Sequence, residues 1–209
     1  MDSRQDGARG PPPPRPLDLL SCTELRSEGV YRPAEDTFFL MSYVERMPSA
    51  RVAADVGCGS GLTTLSLSSR CEYSLAIDLS CEAASTAKQL LAGRALADVI
   101  VADRLLPIRD RSLDSVISNP PYLPCDYCGE PLWCGGERGI EFAASLAEQA
   151  SLKLRRGGSL VLILSSLSDL QGFFEHATSL GYEVDIAGEK PLGLFERLYI
   201  LRCTLKPSA

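Results

Sequence analysis

The segment Ala54-Asp55-Val56-Gly57-Cys58-Gly59-Ser60-Gly61 decides the fold. It closes a short apolar stretch, Arg51–Val56, that predicts a β-strand, and it leads into Leu62–Ser69, which predicts a helix. Glycine at 57, 59 and 61 lets the backbone turn tightly and lets its N–H groups come close to a bound molecule. A strand, a glycine turn and a helix in that order form the first unit of an alternating α/β chain.

The same alternation continues downstream. Tyr73–Ile77 predicts a second strand ending at Asp78, and Ser80 caps a helix through Lys88 to Leu91. Asp98–Ala102 predicts a third strand, followed by Asp103. Leu113–Ser118 predicts a fourth, which runs straight into Asn119-Pro120-Pro121-Tyr122. A long loop, Leu123–Gly139, precedes a helix over Ile140–Leu154. A turn at Arg155–Gly158 and a fifth strand at Ser159–Leu164 follow, then a helix over Asp169–Leu180 that Gly181 ends. Tyr182–Ala187 and Leu194–Leu205 read as two closing strands with no helix between them, hence an antiparallel hairpin.

Upstream, a helix starts near Glu35 and stops at Pro48. Glu35 and Asp36 suit its positive N-terminal end, and Phe38, Phe39, Met41 and Val44 supply apolar contacts. Residues 1–16, with Gly10, Pro11–Pro14 and Pro16, read as a disordered tail. The expected architecture is a Rossmann-like α/β fold in one domain over residues 17–209. Its sheet has seven strands, mostly parallel with an antiparallel final hairpin, and helices on both faces.

Acidic residues at strand ends indicate what the glycine turn holds. Asp78 lies 19 residues after Gly59, where a carboxylate can accept both hydroxyls of a ribose, and Asp103 can accept an adenine amino group. A dinucleotide fits poorly. The third position of Gly-x-Gly-x-x-Gly is Leu62, and the close helix packing that accompanies a pyrophosphate needs glycine there. S-adenosylmethionine carries no phosphate and needs no such packing. Asp55, Gly57, Gly59, Asp78 and Asp103 are therefore candidate cofactor residues.

Asn119-Pro120-Pro121-Tyr122 supplies the chemistry at the neighbouring strand end. An amide or arylamine nitrogen is a weak nucleophile because its lone pair is delocalised. Two acceptors on its N–H groups orient it for an in-line displacement and favour positive charge building on nitrogen. The Asn119 side-chain oxygen and the Pro120 carbonyl are the candidate acceptors. Pro120 and Pro121 stiffen the corner, and Tyr122 offers a face to a planar group. Asparagine is a poor general base, and none is needed, because the nitrogen becomes acidic once methylated.

Composition narrows the partners. The 209 residues carry a net charge of −6, whereas duplex binding draws on an excess of basic residues, so a protein or small-molecule substrate is expected over nucleic acid. No apolar run approaches the roughly 20 residues that span a bilayer, and the N-terminus lacks a basic segment leading into an apolar one. A cytoplasmic protein is expected. Eight cysteines include the spacing Cys125-x-x-Cys128, with Cys134 nearby. Zinc, a disulfide and free thiols are all open to that cluster; four zinc ligands in two spaced pairs are missing, so free thiols and no metal are expected.

With these residues placed, the chain resembles the HemK-type protein-glutamine N5-methyltransferases, which modify the Gly-Gly-Gln glutamine of translation release factors, and the archaeal and eukaryotic branch in particular. The resemblance spans Val30 to Leu205. It rests on Val30-Tyr31-Arg32-Pro33-Ala34-Glu35-Asp36-Thr37, Asp55–Gly61, Asn119–Tyr122 and Gly135-Gly136-Glu137-Arg138-Gly139. It implies that Tyr31, Pro33, Glu35, Asp36 and Thr37 line the site, with Tyr31 and Thr37 on the cofactor side and Pro33 and Glu35 on the substrate side. It further implies a release factor as substrate and a small zinc-binding activator subunit, paired with the third-strand edge at Leu96–Val101. The loop with Cys125, Cys128, Trp133 and Cys134 departs from the family. Two other readings use the same residues: an N6-adenine methyltransferase of nucleic acid, for which no target-recognition domain is visible, and a non-catalytic S-adenosylmethionine-binding subunit.

Overall fold

Apolar residues on both faces of a strand force it into the middle of a covered sheet, and strand β1 (Ala50–Val56) meets that condition, its last four residues being buried. The computed structural model describes residues 30–94, 96–126 and 132–207; the expected tail at 1–16, Cys128 and the centre of the long loop lie outside them. β1 pairs in parallel with β2 (Cys71–Asp78) on one side and β4 (Leu113–Ser118) on the other. β3 (Ala97–Val101) extends the sheet beyond β2, and β5 (Leu154–Ser165) beyond β4, both in parallel. β7 (Glu196–Leu205) runs antiparallel to β5 and to β6 (Tyr182–Leu192), giving the order β3-β2-β1-β4-β5-β7-β6.

Five helices are described: α1 (Glu35–Val44), α2 (Leu62–Leu67), α3 (Cys81–Leu90), α4 (Glu141–Lys153) and α5 (Leu170–Ser179). The side chain of Ser80 accepts from the Ala83 N–H at the start of α3, and Asp169 accepts from Gly172 at the start of α5, satisfying N–H groups that helix ends leave free. α1, α2 and α3 pack as one group and α4 with α5 as another. Right-handed crossovers put the two groups on opposite faces, because strand order reverses between β1 and β4. The core centres on β5, whose Leu160–Leu164 stretch is buried throughout, against Val116, Ile117, Leu146, Phe173 and Leu201. None of the described helices is long and apolar enough to cross a membrane.

Two expected boundaries move. Residues 155–158 belong to β5 rather than to a turn: Leu154 sits opposite Leu113 and Ser159 opposite Ser115, so β5 advances five residues while β4 advances two. Asp114 stabilises this irregularity by accepting from the Arg155 guanidinium and from the Arg51 and Val52 N–H groups. β6 continues past Gly188 and Pro191, residues that argue against a central strand. It is an edge strand, where a missing N–H costs no ladder bond, and a register shift between Ile186 and Gly188 absorbs the break. In α1 the expected apolar face is also altered. Phe38 is exposed, while Asp36 is 4% and Thr37 7% exposed, so the first turn directs its polar residues inward.

Candidate functional site

Where strand order reverses, loops from adjacent strands diverge and leave a crevice at their carboxyl ends. β1 delivers the glycine turn there and β4 delivers Asn119. The crevice is a cavity of about 650 Å³, in the range of small-molecule sites. Tyr31, Pro33, Thr37, Gly57, Gly59, Asp78, Asp103, Asn119, Pro120, Pro121 and Tyr122 all line it. Of the residues expected there, Asp55 and Glu35 are outside the lining. Asp55 is buried beneath the turn and accepts from the Thr64 hydroxyl at 2.6 Å. Glu35 pairs with Lys190 of β6 at 2.9 Å.

Asp78 organises the cofactor-side turn. One of its carboxylate oxygens accepts from the Gly59 N–H and the other from the Ser80 N–H, each at 2.9 Å. The Gly57 and Cys58 N–H groups both reach the Ile77 carbonyl, at 2.8 and 3.1 Å. The turn is thereby fixed to the end of β2 on its backbone and through a side chain. Asp103 is gripped by its neighbour Arg104, which lowers its pKa through their hydrogen bond, and Arg104 stands 5.7 Å from the Phe142 ring centroid.

The other wall is built around Asp36. Its Oδ2 accepts from Tyr31 at 2.7 Å, from the Asn119 side-chain amide at 3.0 Å and from Tyr122 at 3.2 Å. Its Oδ1 accepts from the Thr37 N–H at 2.6 Å. Burial, reinforced by the adjacent carboxylate, raises the pKa of both Tyr31 and Tyr122, so both phenols stay protonated and donate. With its NH₂ group turned to Asp36, Asn119 keeps its Oδ1 buried and without a hydrogen-bond partner among the described residues. A buried acceptor without a partner costs about 1–3 kcal/mol, which is tolerated where a ligand completes it.

The asparagine–proline corner is held from behind. The Ser168 hydroxyl donates to the Tyr122 carbonyl at 2.7 Å, and Ser118 donates to the Val56 carbonyl at 2.7 Å, tying β4 to β1 beside the turn. The Gly135–Gly139 segment presses on the same corner: a Cβ at Gly135 would stand 2.7 Å from the Pro121 carbonyl oxygen.

The two described ends of the loop that departs from the family are tied to each other. Leu123 accepts from Gly135 and donates to the Trp133 carbonyl, and Cys125 donates to the Gly136 carbonyl, at 2.9 to 3.1 Å. This return brings Cys125 and Cys134 to a Cα separation of 5.6 Å, within disulfide range, and they are bonded. The expectation of free thiols is corrected there, whereas Cys58, Cys71, Cys81 and Cys203 are free. The loop sets Trp133 edge-on to Tyr31, with ring centroids 5.2 Å apart, as part of the lining. Trp133, Leu132, Phe142 and the hub role of Asp36 were not read from the sequence. The single tryptophan of the chain, placed among cysteines, was the available signal for the loop.

The family model of the methyltransferase small domain matches residues 32–179. Mouse Methyltransferase HEMK2 is 32% identical over 130 residues, 54% of this chain and 60% of that protein. The release factor glutamine methyltransferase of Moorella thermoacetica is 32% identical over 167 residues, 71% of this chain and 59% of that protein. The chain thus spans about three fifths of the length of these two relatives. Among solved structures, the Mtq2–Trm112 complex of E. cuniculi, responsible for methylation of the eRF1 translation termination factor, aligns with a TM-score of 0.71. The identity is 27%, over 85% of this chain and 99% of that one.

Proposed function

Because the chain belongs to the methyltransferase small domain family, we propose that it is an S-adenosylmethionine-dependent N-methyltransferase acting on the side-chain amide of a glutamine in a protein, a translation release factor. The observation that carries the reading is the buried, unpartnered Oδ1 of Asn119 in a residue that lines the cavity. The names of the relatives support the choice of substrate.

The residues present fit the cofactor. The cavity has room for it, Asp78 and Asp103 supply carboxylates for ribose hydroxyls and an adenine amino group, and the turn lacks the third glycine of a pyrophosphate site. S-adenosylmethionine supplies a methyl group on a sulfonium sulfur, already activated for displacement. The protein therefore positions rather than activates. Gly57 and Gly59 bring backbone close to the ligand, and Tyr31 and Thr37 close the methionine side. Asn119 Oδ1 and the Pro120 carbonyl accept the two N–H bonds of the glutamine amide and favour positive charge on its nitrogen. Pro121, Tyr122 and Pro33 wall the amide. No group on the chain has to remove a proton before transfer.

A small activating subunit docks on the edge of β3 in this reading. The edge strand has no outer neighbour in the described sheet, and Leu96, Val101 and Leu106 are exposed beside it. A relative of known structure is itself a complex of two proteins.

Transfer of radiolabelled methyl to a release factor, to its variant lacking the target glutamine and to DNA tests the assignment, with and without a candidate subunit. Label is expected on the intact release factor alone. Label on DNA alone overturns the reading, and equal label on the glutamine variant does so as well.

A further inference from the structure

Asn119 can present either end of its amide to the cavity, and only one end suits an N–H nucleophile. The oxygen accepts hydrogens from an incoming NH₂ group, whereas the NH₂ end opposes it donor to donor. Which end faces Asp36 therefore decides whether the site works. A carboxylate can only accept. Turning the Asn119 oxygen towards Asp36 would set two acceptors about 3.0 Å apart, the present Nδ2–Oδ2 distance. The Asp36 oxygen is further fixed by Tyr31 and Tyr122, both protonated donors, and the opposite oxygen by the Thr37 N–H.

We propose that Asp36 is a positioning residue that selects the amide orientation of Asn119, holding Nδ2 inward so that Oδ1 remains as the acceptor for the substrate nitrogen. This inference rests on the amide-methylating reading of the site. Asp36 acts through Asn119 and not on the substrate, since its oxygens already receive five hydrogen bonds from neighbouring groups, the Thr37 hydroxyl included. It also joins two elements distant in sequence: it belongs to the first turn of α1, while Asn119 follows β4, 83 residues away.

The arrangement can be exchanged, and that supplies the test. Asp36→Asn removes the preference and should lower kcat at least tenfold, with KM for S-adenosylmethionine changed less than twofold. Asn119→Asp sets two carboxylates against each other and should lower kcat more than a hundredfold. The double variant Asp36→Asn/Asn119→Asp restores one donor facing one carboxylate, with an acceptor left for the substrate. It should recover at least tenfold in kcat over Asn119→Asp alone. A double variant no better than Asn119→Asp, with the two losses multiplying, overturns the proposal.

A measurement without substrate covers variants that fail to fold. In the wild-type protein the Asn119 side-chain ¹H–¹⁵N signals should show one strongly downfield, slowly exchanging proton. Signals like those of a solvent-exposed amide overturn the proposal. If the wild-type protein methylates no glutamine substrate, the functional reading fails, while this amide signal still reports on Asp36.

Discussion

Gly139 lies against the carbonyl of Tyr122 so closely that a Cβ built on it would stand 2.5 Å from that oxygen. Its φ of +70° is a second obstacle to any side chain. The asparagine–proline corner and the Gly135–Gly139 segment are therefore one packed unit. Gly139→Ala should destabilise the protein by about 2–4 kcal/mol, through the left-handed backbone and the overpacked contact. Methyl transfer should fall more than tenfold because the clash moves the Tyr122 backbone. Denaturant unfolding and a steady-state assay read the two effects, and a variant with wild-type values in both would show that the corner yields freely.

Asn119→Ala removes the proposed acceptor while leaving the glycine turn and Asp78 untouched. Transfer should fall by about 10²–10³ or more, in line with loss of a preorganised group at developing charge. Affinity for S-adenosylmethionine, measured by calorimetry, should stay within a fewfold. Turnover unchanged by the substitution removes Asn119 from the chemistry.

Asp78→Ala acts on the opposite side of the cavity. It deletes the proposed ribose acceptor and frees the Gly59 and Ser80 N–H groups. Cofactor affinity should drop at least tenfold, by about the 1.4 kcal/mol or more expected for hydrogen bonds to a charged group. Calorimetry checks it, and equal affinity would sink the ribose assignment.

The strands that bear the site were legible because burial on both faces leaves a plain signature. β1, β2 and β4 are short runs rich in apolar residues, with Asp55 next to last in β1, Asp78 last in β2 and Asn119 just after β4, where the chain leaves the sheet for the crevice. Gly188 and Pro191 concealed the length of β6, since a local reading treats both as breakers and cannot see that the strand is at an edge. Asp36 was visible as a helix-favouring acid and as part of a resemblance. Its convergence with Tyr31, Asn119 and Tyr122 depends on contacts across 83 and 86 positions, which no local pattern encodes. Asp55 misled for a related reason: a strand-end carboxylate next to a glycine turn looks like a ligand group, yet strand alternation turned it under the turn towards Thr64. The cysteine pairing likewise depended on how the loop returns on itself.

The disulfide between Cys125 and Cys134 closes a short loop at the cavity wall, so reducing it should loosen Trp133 more than the fold. Loop-closure entropy for about ten residues is worth roughly 2–3 kcal/mol of unfolded-state restriction. Cys125→Ser/Cys134→Ser should lower the melting temperature modestly and raise KM for the protein substrate. Because Trp133 is the only tryptophan, its fluorescence reports the loop directly. An emission maximum and KM unchanged by the double substitution would show that backbone hydrogen bonds alone hold the loop.

Asp55 gives the clearest pH dependence. Burial pushes its pKa up to about 7, against the lowering effect of the Thr64 hydroxyl bond, and the nearby Asp78 charge adds to the rise. In the unfolded chain the same group titrates near 3.8. Between these values the folded state holds a proton that the unfolded state has lost, so unfolding is increasingly favoured as pH rises. The penalty is absent below the unfolded value, grows through the window up to about 7 and is constant above it. Asp55→Asn carries no such titration and can still accept from Thr64 through its amide oxygen. The stability of the variant relative to wild type should therefore improve as pH rises from about 4 to about 7, by an amount on the order of a few kcal/mol. Above that it should level off. Chemical denaturation of both proteins across pH 4.5 to 8 isolates the effect, because their other titrating groups cancel in the difference. A difference that does not change with pH would mean that Asp55 is ionised in the folded protein at every pH tested.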